Sequence, residues 1–551
     1  MKAYDAIVIG SGATGGWAAK QLTEGGMDVL LLEAGRQLDP AKDYLEHAWP
    51  YDMRFRGFGK PNYFTERQNS SKRFNNEYVS HLYADDADVP YTTPKDKPFN
   101  WVRARQVGGR TIIWGRQCYR LSDYDFKAAD HDGYGVNWPI RYADLKPYYD
   151  LVENFIGVSG RAEGWDAVPD GNFLPPMNFS CGEYAMKKVI DGYGDRIMTI
   201  GRTAILTQNH QGRVACHWCG HCGRGCHTGS YFSSPASTLP AAAATGKLTL
   251  QPNAVVYRIL KGEDGKASGV GYIDALTNDA LDVNAKIVMV CASSLESTRL
   301  LMLSGIGRSS DALGHYLMDH TIDCGAWGYL PRPQGGKVTE WDDKRANGIY
   351  VPRFRNLKEK RKDYIRGYGF QGEAATSMYP AHAHRVRGYG AGFKDEVRDE
   401  WLYRIRLWAF GEMLARKENH VRLNSDQTDR WGIPTLHVDC AYGDNEKAMM
   451  KDAVDTARET LEKVGAEITN INYDLSPPGT CIHEIGTARM GDSEESSVLN
   501  AYNEVWDTPN VFVTDGASFP SSGCANPTLT MMALTARACD HILERSKRRE
   551  I

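Results

Sequence analysis

Between Cys216 and Cys226 the chain reads CHWCGHCGRGC, four cysteines at C-x2-C-x2-C-x3-C spacing. Thiolates three and four residues apart can converge on one inorganic centre, and this is the spacing of bacterial iron–sulfur runs. Zinc is an alternative, because His217, His221 and His227 are interleaved with the thiols. A reduced loop without metal is the third reading. The other eight cysteines are scattered, several in apolar surroundings such as Cys291 in IVMVCASS, and read as small buried hydrophobes.

A second constellation opens the chain. In YDAIVIGSGATGG, Gly10, Gly12 and Gly15 stand at GxGxxG spacing directly after the apolar run AIVIG. A helical stretch follows, closed by Gly25-Gly26, and then a second apolar run, MDVLLLEAG, that ends at Glu33. In such a β–α–β unit the glycines let the backbone approach a pyrophosphate and the helix N-terminus favours its charge. The acid bonds a ribose hydroxyl. The unit predicts a dinucleotide site, but the glycines alone do not choose between FAD and NAD.

The surrounding elements must hold these groups. Residues 36–100 lack a clear period and read as long loops or a lid. WPIRYADLKPYYDLVENFIGVSG predicts an amphipathic helix. The stretch from Gly246 to Asp274 predicts a β-meander with turns at Asp264-Gly265 and near Ser268-Gly269. AKIVMVCASSLESTRLLMLSGIG is a strand, turn and helix that would extend the first sheet. From 311 to 475 the texture becomes aromatic, charged and strand-rich, ending in the helical NEKAMMKDAVDTARETLEKVG. After 475 the chain returns to a glycine turn, strand and helix. Asn526-Pro527 reads as a cap and first-turn pair, with Leu529, Met532, Ala533 and Ala536 on one face of the helix it opens.

Composition narrows the class. The chain has 551 residues, 42% of them hydrophobic and 24% charged, which predicts a globular protein of more than one domain. A net charge of -4 gives no electrostatic reason for a nucleic-acid partner. No run of about 18 apolar residues predicts a transmembrane segment, and MKAYDAIVIG lacks the h-region of a signal peptide.

The N-terminal fingerprint, QVGGRTIIWG, SLESTRLLMLSGIG, HEIGTARMG and FVTDGASFPSSGCANPTLTMMALTARA, in this order, resemble the glucose-methanol-choline (GMC) oxidoreductases along the whole chain. The resemblance implies an α/β fold: a Rossmann-like FAD domain, discontinuous in sequence, and a substrate domain on an antiparallel six-stranded sheet. The expected division is 1–310 for the FAD domain with its cysteine segment at about 205–235, 311–475 for the substrate domain, and 476–551 for the return carrying the catalytic pair. It also implies FAD as cofactor. By that resemblance Gly10, Gly12 and Gly15 hold the pyrophosphate, Glu33 the adenosine ribose and Val256 the adenine. Gly108 and Gly109 pass the flavin, Asp515 and Gly516 bind near the pyrophosphate and ribityl chain, and Asn526, Pro527 and Thr528 lie beside the isoalloxazine. His483 matches the catalytic base and Asn526 its partner; imidazole suits the role because it titrates near working pH. His320, His420 and His437 carry no comparable motif. Some sugar-oxidising relatives bind FAD covalently through a histidine where this chain has Ile113, so non-covalent FAD is expected.

The multi-subunit bacterial branch of the family holds an iron–sulfur cluster. In some of its sugar dehydrogenases a three-iron cluster (3Fe-4S) is held by cysteines spaced as Cys216, Cys222 and Cys226 are. Cys219 is a further thiol that leaves a four-iron cluster (4Fe-4S) open. Such a cluster passes electrons singly, which fits a dehydrogenase with an external acceptor other than NAD or O2. The resemblance points to glucoside 3-dehydrogenases, which oxidise the C3 hydroxyl; glucose, gluconate or another polyol is the alternative substrate. Side chains around YGFQGEAATS are candidates to line its pocket. An O2-using FAD oxidase with a structural or zinc-bound cysteine loop, and a non-catalytic electron-transfer flavoprotein, are the rival functions. The branch implies a small subunit bearing the export signal and a cytochrome-type acceptor, hence a periplasmic site, with a cytoplasmic enzyme as the alternative.

Overall fold

The computed structural model describes residues 4–48, 52, 67–75, 78–331, 347–374, 388–399 and 403–551. Parts of the expected 36–100 loop or lid (49–51, 53–66, 76–77) and residues 375–377 of YGFQGEAATS lie outside them.

The first sheet has seven strands. Its parallel centre runs Leu248–Gln251, Val29–Leu32, Tyr4–Ile9 and Ala280–Val290, with Val511–Val513 pairing in parallel on the last. Val29–Leu32, Val511–Val513 and the C-terminal ends Ala6–Ile9 and Ile287–Val290 are continuous apolar runs because both faces are covered. Register pairs Ile9 with Leu32 and with Val290, and Val290 with Val513. Strands from three distant parts of the chain therefore end together, and the residues just beyond those ends are Gly10, Glu33, Cys291 and Asp515. The C-terminal edge of a parallel sheet is where such folds bind ligands.

Ala254–Lys261, Ala267–Asp274 and Ala280–Val290 form the expected antiparallel meander, with its first turn at Asp264-Gly265. The second turn is not near Ser268-Gly269 but at Ala275–Thr277. Gly269 lies inside a strand, where a Cβ would stand 2.0 Å from the Val283 carbonyl oxygen. Close backbone approach, rather than a turn, demands the glycine.

The second sheet is antiparallel. Its main path has six strands, in the order Glu467–Asn472, Gly325–Tyr329, Arg404–Glu412, Tyr368–Ala374, Ile349–Val351 and Thr199–Ile200; the short His320–Thr321 pairs beside it with Arg404–Glu412. Thr199–Ile200 comes from the first segment of the chain. Conversely, Val421, Leu436 and Val438 pack into the core under the first sheet. Along Arg404–Glu412 the side chains alternate. Ile405, Leu407 and Ala409 pack with Met449, Met450, Ala453, Val454, Ala457 and Leu461 of the helix Asp444–Val464, while Arg406, Trp408 and Phe410 face a cavity. Helical spacing on one side and a period of two on the other produce this two-layer arrangement.

Candidate active site

Between the two sheets lies a cavity of about 690 Å³, within the range of small-molecule and cofactor sites. Gly10, Gly12, Glu33, Gly109, Val256, Asp515, Gly516, His483, Asn526, Pro527 and Thr528 all line it. A Cβ on Gly12 would meet nothing within 4 Å, so the backbone there faces open space. Gly15 and Gly108 do not line the cavity. A Cβ on Gly15 would stand 1.8 Å from the Gly10 carbonyl oxygen, and one on Gly108 would stand 2.7 Å from Pro235. These two glycines permit close packing beneath the site rather than contact with a ligand. Glu33 is buried, and its carboxylate accepts from the Ser11 amide (3.0 Å) and hydroxyl (2.6 Å) and from the Gly35 amide (2.9 Å). Burial raises its pKa, opposed by those donors.

Three helix N-termini converge on the cavity: Ala13 and Thr14, Ser293 and Ser294, and Thr528 all line it. Their positive ends favour a negatively charged ligand. Asn526 does not cap the last helix, whose cap position is Pro527 with no side-chain cap bond. The amide is engaged elsewhere.

Asn526 Oδ1 accepts from Gln371 Nε2 at 3.0 Å, and its Nδ2 lies 3.4 Å from His483 Nε2. An amide nitrogen only donates, so this arrangement leaves His483 Nε2 as the acceptor and places the ring proton on Nδ1, 3.3 Å from Cys481 Sγ. A basic nitrogen, held by a neutral amide donor, thus stands at the cavity wall. Burial pulls the pKa of His483 well below its ordinary value, helped by His320 and Arg110. His320, which carried no motif in the sequence, meets His483 edge-on with ring centroids 5.1 Å apart and stacks on Phe410. Its Nε2 donates to the Gly523 carbonyl at 3.0 Å, and burial pulls its pKa down to about 4, so it is a neutral neighbour.

The loop that presents His483 is built on Asp319. This buried carboxylate accepts from the main-chain amides of Gly479 (2.7 Å), Cys481 (3.1 Å) and His483 (3.0 Å). Between them Ile482, a β-branched residue, is held at φ +64°, a strained conformation of the kind that persists where surrounding bonds enforce it. Burial and the Glu484 charge raise the Asp319 pKa to about 7. Folding therefore favours its neutral form. That contribution to stability is complete below the unfolded value of 3.8 and is lost as pH rises through about 7. Asp319→Asn is expected to cost about 1–3 kcal/mol, because an amide NH2 cannot accept from a main-chain N–H as a carboxyl oxygen does. It should also flatten the fall in stability between acid and neutral pH and slow substrate-driven flavin reduction. Denaturant midpoints across that range and anaerobic flavin absorbance check this; wild-type values in both would remove the positioning role.

The cysteine segment adjoins the same cavity. Gly223 lines it, as does Arg116, whose Nη1 donates to the Cys222 carbonyl at 3.4 Å. Cys216, Cys222 and Cys226 pack at the edge of the second core with Trp218. Burial, with charge on Cys222, Cys219 and Cys226 acting in the same direction, pushes the Cys216 thiol up to about 12. The four thiols thus stand within electrostatic reach of one another, and a bound cation is what would reverse that mutual penalty. A mononuclear zinc needs ligand atoms about 2.0–2.3 Å from one ion. Among the described residues, no set of three ligand atoms lying within 4.8 Å of one another includes a cysteine.

Two family models, both for GMC oxidoreductases, match residues 197–322 and 415–535. The chain belongs to the GMC oxidoreductases. It is 29% identical to 2-methyl-1,2-propanediol dehydrogenase of Mycolicibacterium austroafricanum, over 98% of this chain and 95% of that one. It is 25% identical to the fructose dehydrogenase large subunit of Gluconobacter japonicus, over 98% and 97%. The solved structure of pyridoxine 4-oxidase from Mesorbium loti superposes with a TM-score of 0.61 at 17% identity, covering 98% of each chain, and shares the fold.

FAD is the cofactor expected of this family, and the residues present fit it. The three helix ends and Glu33, just past the second strand, line the same cavity. Arg105 lines the cavity with Nη1 buried and lacking a hydrogen-bond partner among the described residues. Ile113 also lines the cavity and offers no nucleophile for a covalent link.

Proposed function

We propose that the protein is an FAD-dependent dehydrogenase that oxidises a secondary hydroxyl of a sugar or glucoside, the C3 hydroxyl foremost, and delivers the electrons to an external acceptor through an iron–sulfur cluster. The observation that carries this reading is the Gln371–Asn526–His483 array, which presents an unprotonated Nε2 to the cavity.

Gln371 fixes the Asn526 amide, and the amide fixes the imidazole tautomer. When a hydroxyl enters, Asn526 Nδ2 donates to the substrate oxygen and His483 Nε2 takes its proton, which is general-base catalysis by a positioned group. FAD, when bound, supplies the acceptor for the carbon-bound hydrogen with its electron pair. The far wall suits a polyhydroxylated ring. Trp327 and Trp408 offer flat faces to C–H groups, while Glu373 and Arg406 (2.9 Å apart) and Gln117 and Asn347 (2.6 Å apart) offer polar groups. A diol dehydrogenase and a fructose dehydrogenase among the relatives support a hydroxyl substrate.

Cys216, Cys222 and Cys226 would hold the cluster, with Cys219 as a fourth thiol, and the chemistry it would supply is one-electron transfer. The reading extends to a small subunit with the export signal, a cytochrome-type acceptor and a periplasmic location. The fructose dehydrogenase relative is itself a large subunit, which supports a multi-subunit enzyme. Among the described residues no helix is long and apolar enough to cross a membrane.

Anaerobic titration with a series of glucosides tests the proposal. Flavin absorbance should bleach with the right glucoside, low-temperature EPR should report the cluster, and the product should be a 3-keto sugar by NMR. Turnover should proceed with dye acceptors and fall to background when air replaces them. Equal turnover in air would make the protein an oxidase.

A further inference from the structure

Beside the cysteine segment lies a cluster that the catalytic reading does not use. Glu46 is buried, with a side-chain exposure of 1%. Among the described residues its ion-pair partners are two histidines, His227 Nδ1 at 2.6 Å and His47 Nε2 at 3.7 Å; no lysine or arginine pairs with it there. Oε1 accepts from both the amide and the ring of His227. Oε2 is buried and has no hydrogen-bond partner among the described residues. A carboxylate taken out of water needs a full counter-charge and filled lone pairs.

The three side chains are also brought together tightly. One ligand atom from each of Glu46, His47 and His227 lies within 4.8 Å of the others. Ligand atoms about 2.0–2.2 Å from a shared ion fall inside that limit. The rings are oriented by stacking: His47 lies over His217 with centroids 5.3 Å apart and stands 5.3 Å from His227. Hydrogen bonds stitch the two segments together. The Leu45 amide donates to the Arg224 carbonyl (2.8 Å), and Arg224 Nη1 donates to the Ala48 carbonyl (3.0 Å). A Cβ on Gly225 would fall 2.2 Å from the Tyr44 ring, so the loops are in close contact.

The geometry points to a mononuclear divalent-metal site formed by Glu46, His47 and His227, taking zinc or a similar first-row ion and separate from the cysteine ligands. Two imidazoles and a carboxylate are a donor set for such ions. The metal gives the buried Oε2 of Glu46 the partner it lacks among the described residues, and it ties residues 44–48 to the cysteine segment through His227. Hard ions such as magnesium, which prefer oxygen donors and retained water, are disfavoured by the imidazoles.

Cobalt(II), a spectroscopic substitute for zinc, tests the site in the purified holoprotein by difference spectra. One equivalent should bind with only weak visible bands, as nitrogen and oxygen ligands give, and zinc should displace it. His47→Ala, whose side chain is 58% exposed and whose loss disturbs little packing, should weaken binding roughly 10–100-fold with flavin and iron content unchanged. Glu46→Gln should do the same. No uptake of either ion would overturn the proposal. So would uptake with strong near-ultraviolet thiolate-to-metal bands that vanish in Cys219→Ser, or uptake that His47→Ala leaves intact.

Discussion

His483→Ala, with FAD still bound, is expected to slow substrate-driven flavin bleaching by roughly 10²–10⁴-fold, the usual contribution of a positioned general base. The size follows from the arrangement. Nε2 is the unprotonated ring nitrogen because Asn526 can only donate to it, and both side chains line the cavity, where an entering hydroxyl can take Asn526's place on that lone pair. The substitution leaves the glycine turn, Glu33 and the helix ends in place, so flavin content and its absorbance maximum should match wild type. The pH profile adds a second reading. Burial, then His320, then Arg110 hold the His483 pKa well below 6.5. A lowered pKa means that the base is already unprotonated at neutral pH, so kcat/KM should be flat there and fall only on the acid side, with its limb below 6.5. Stopped-flow bleaching in anaerobic buffers measures both quantities. Wild-type bleaching in His483→Ala would remove the assignment, and an acid limb at or above 6.5 would place the titrating group elsewhere.

The parts of this site that were legible in sequence are those whose signal is local. Gly10, Gly12 and Glu33 announce themselves because a glycine turn between apolar runs has few other uses, and the strands around them end in register. His483 and Asn526 were legible only through motif resemblance. What organises them was not. Asp319, His320 and Gln371 act through partners 155 to 203 residues away, and no periodicity encodes a pairing at that separation. Thr199–Ile200 is two residues long, too short for an alternating pattern, so its membership in the second sheet is set wholly by the strand it meets. Asn526-Pro527 shows the opposite error. Local capping chemistry reads a helix signal there, but the buried side chain is claimed by Gln371 and His483. The same local logic reads Gly269 as a turn residue, whereas it is a point of backbone contact inside a strand.

Cys222→Ser should separate the two halves of the proposed reaction. Cys222 is the thiol whose chain neighbour, Gly223, lines the cavity, and Arg116 bridges from the cavity wall to its carbonyl. A serine oxygen is a poor substitute for thiolate on iron, so the variant should lose iron and acid-labile sulfide. Nothing in the Gln371–Asn526–His483 array touches Cys222, so anaerobic bleaching by substrate should persist at the wild-type rate. Turnover with one-electron acceptors should drop to background, because the charge gathered on one side of Arg116 no longer has a way across. Cys219→Ser decides the ligand count. Iron content near three per chain in both wild type and Cys219→Ser fits ligation by Cys216, Cys222 and Cys226, whereas loss of iron in Cys219→Ser makes all four thiols ligands. If Cys222→Ser keeps its iron and its acceptor turnover, the cysteine segment has no part in electron transfer. The electrons would then leave directly from the cavity between the two sheets.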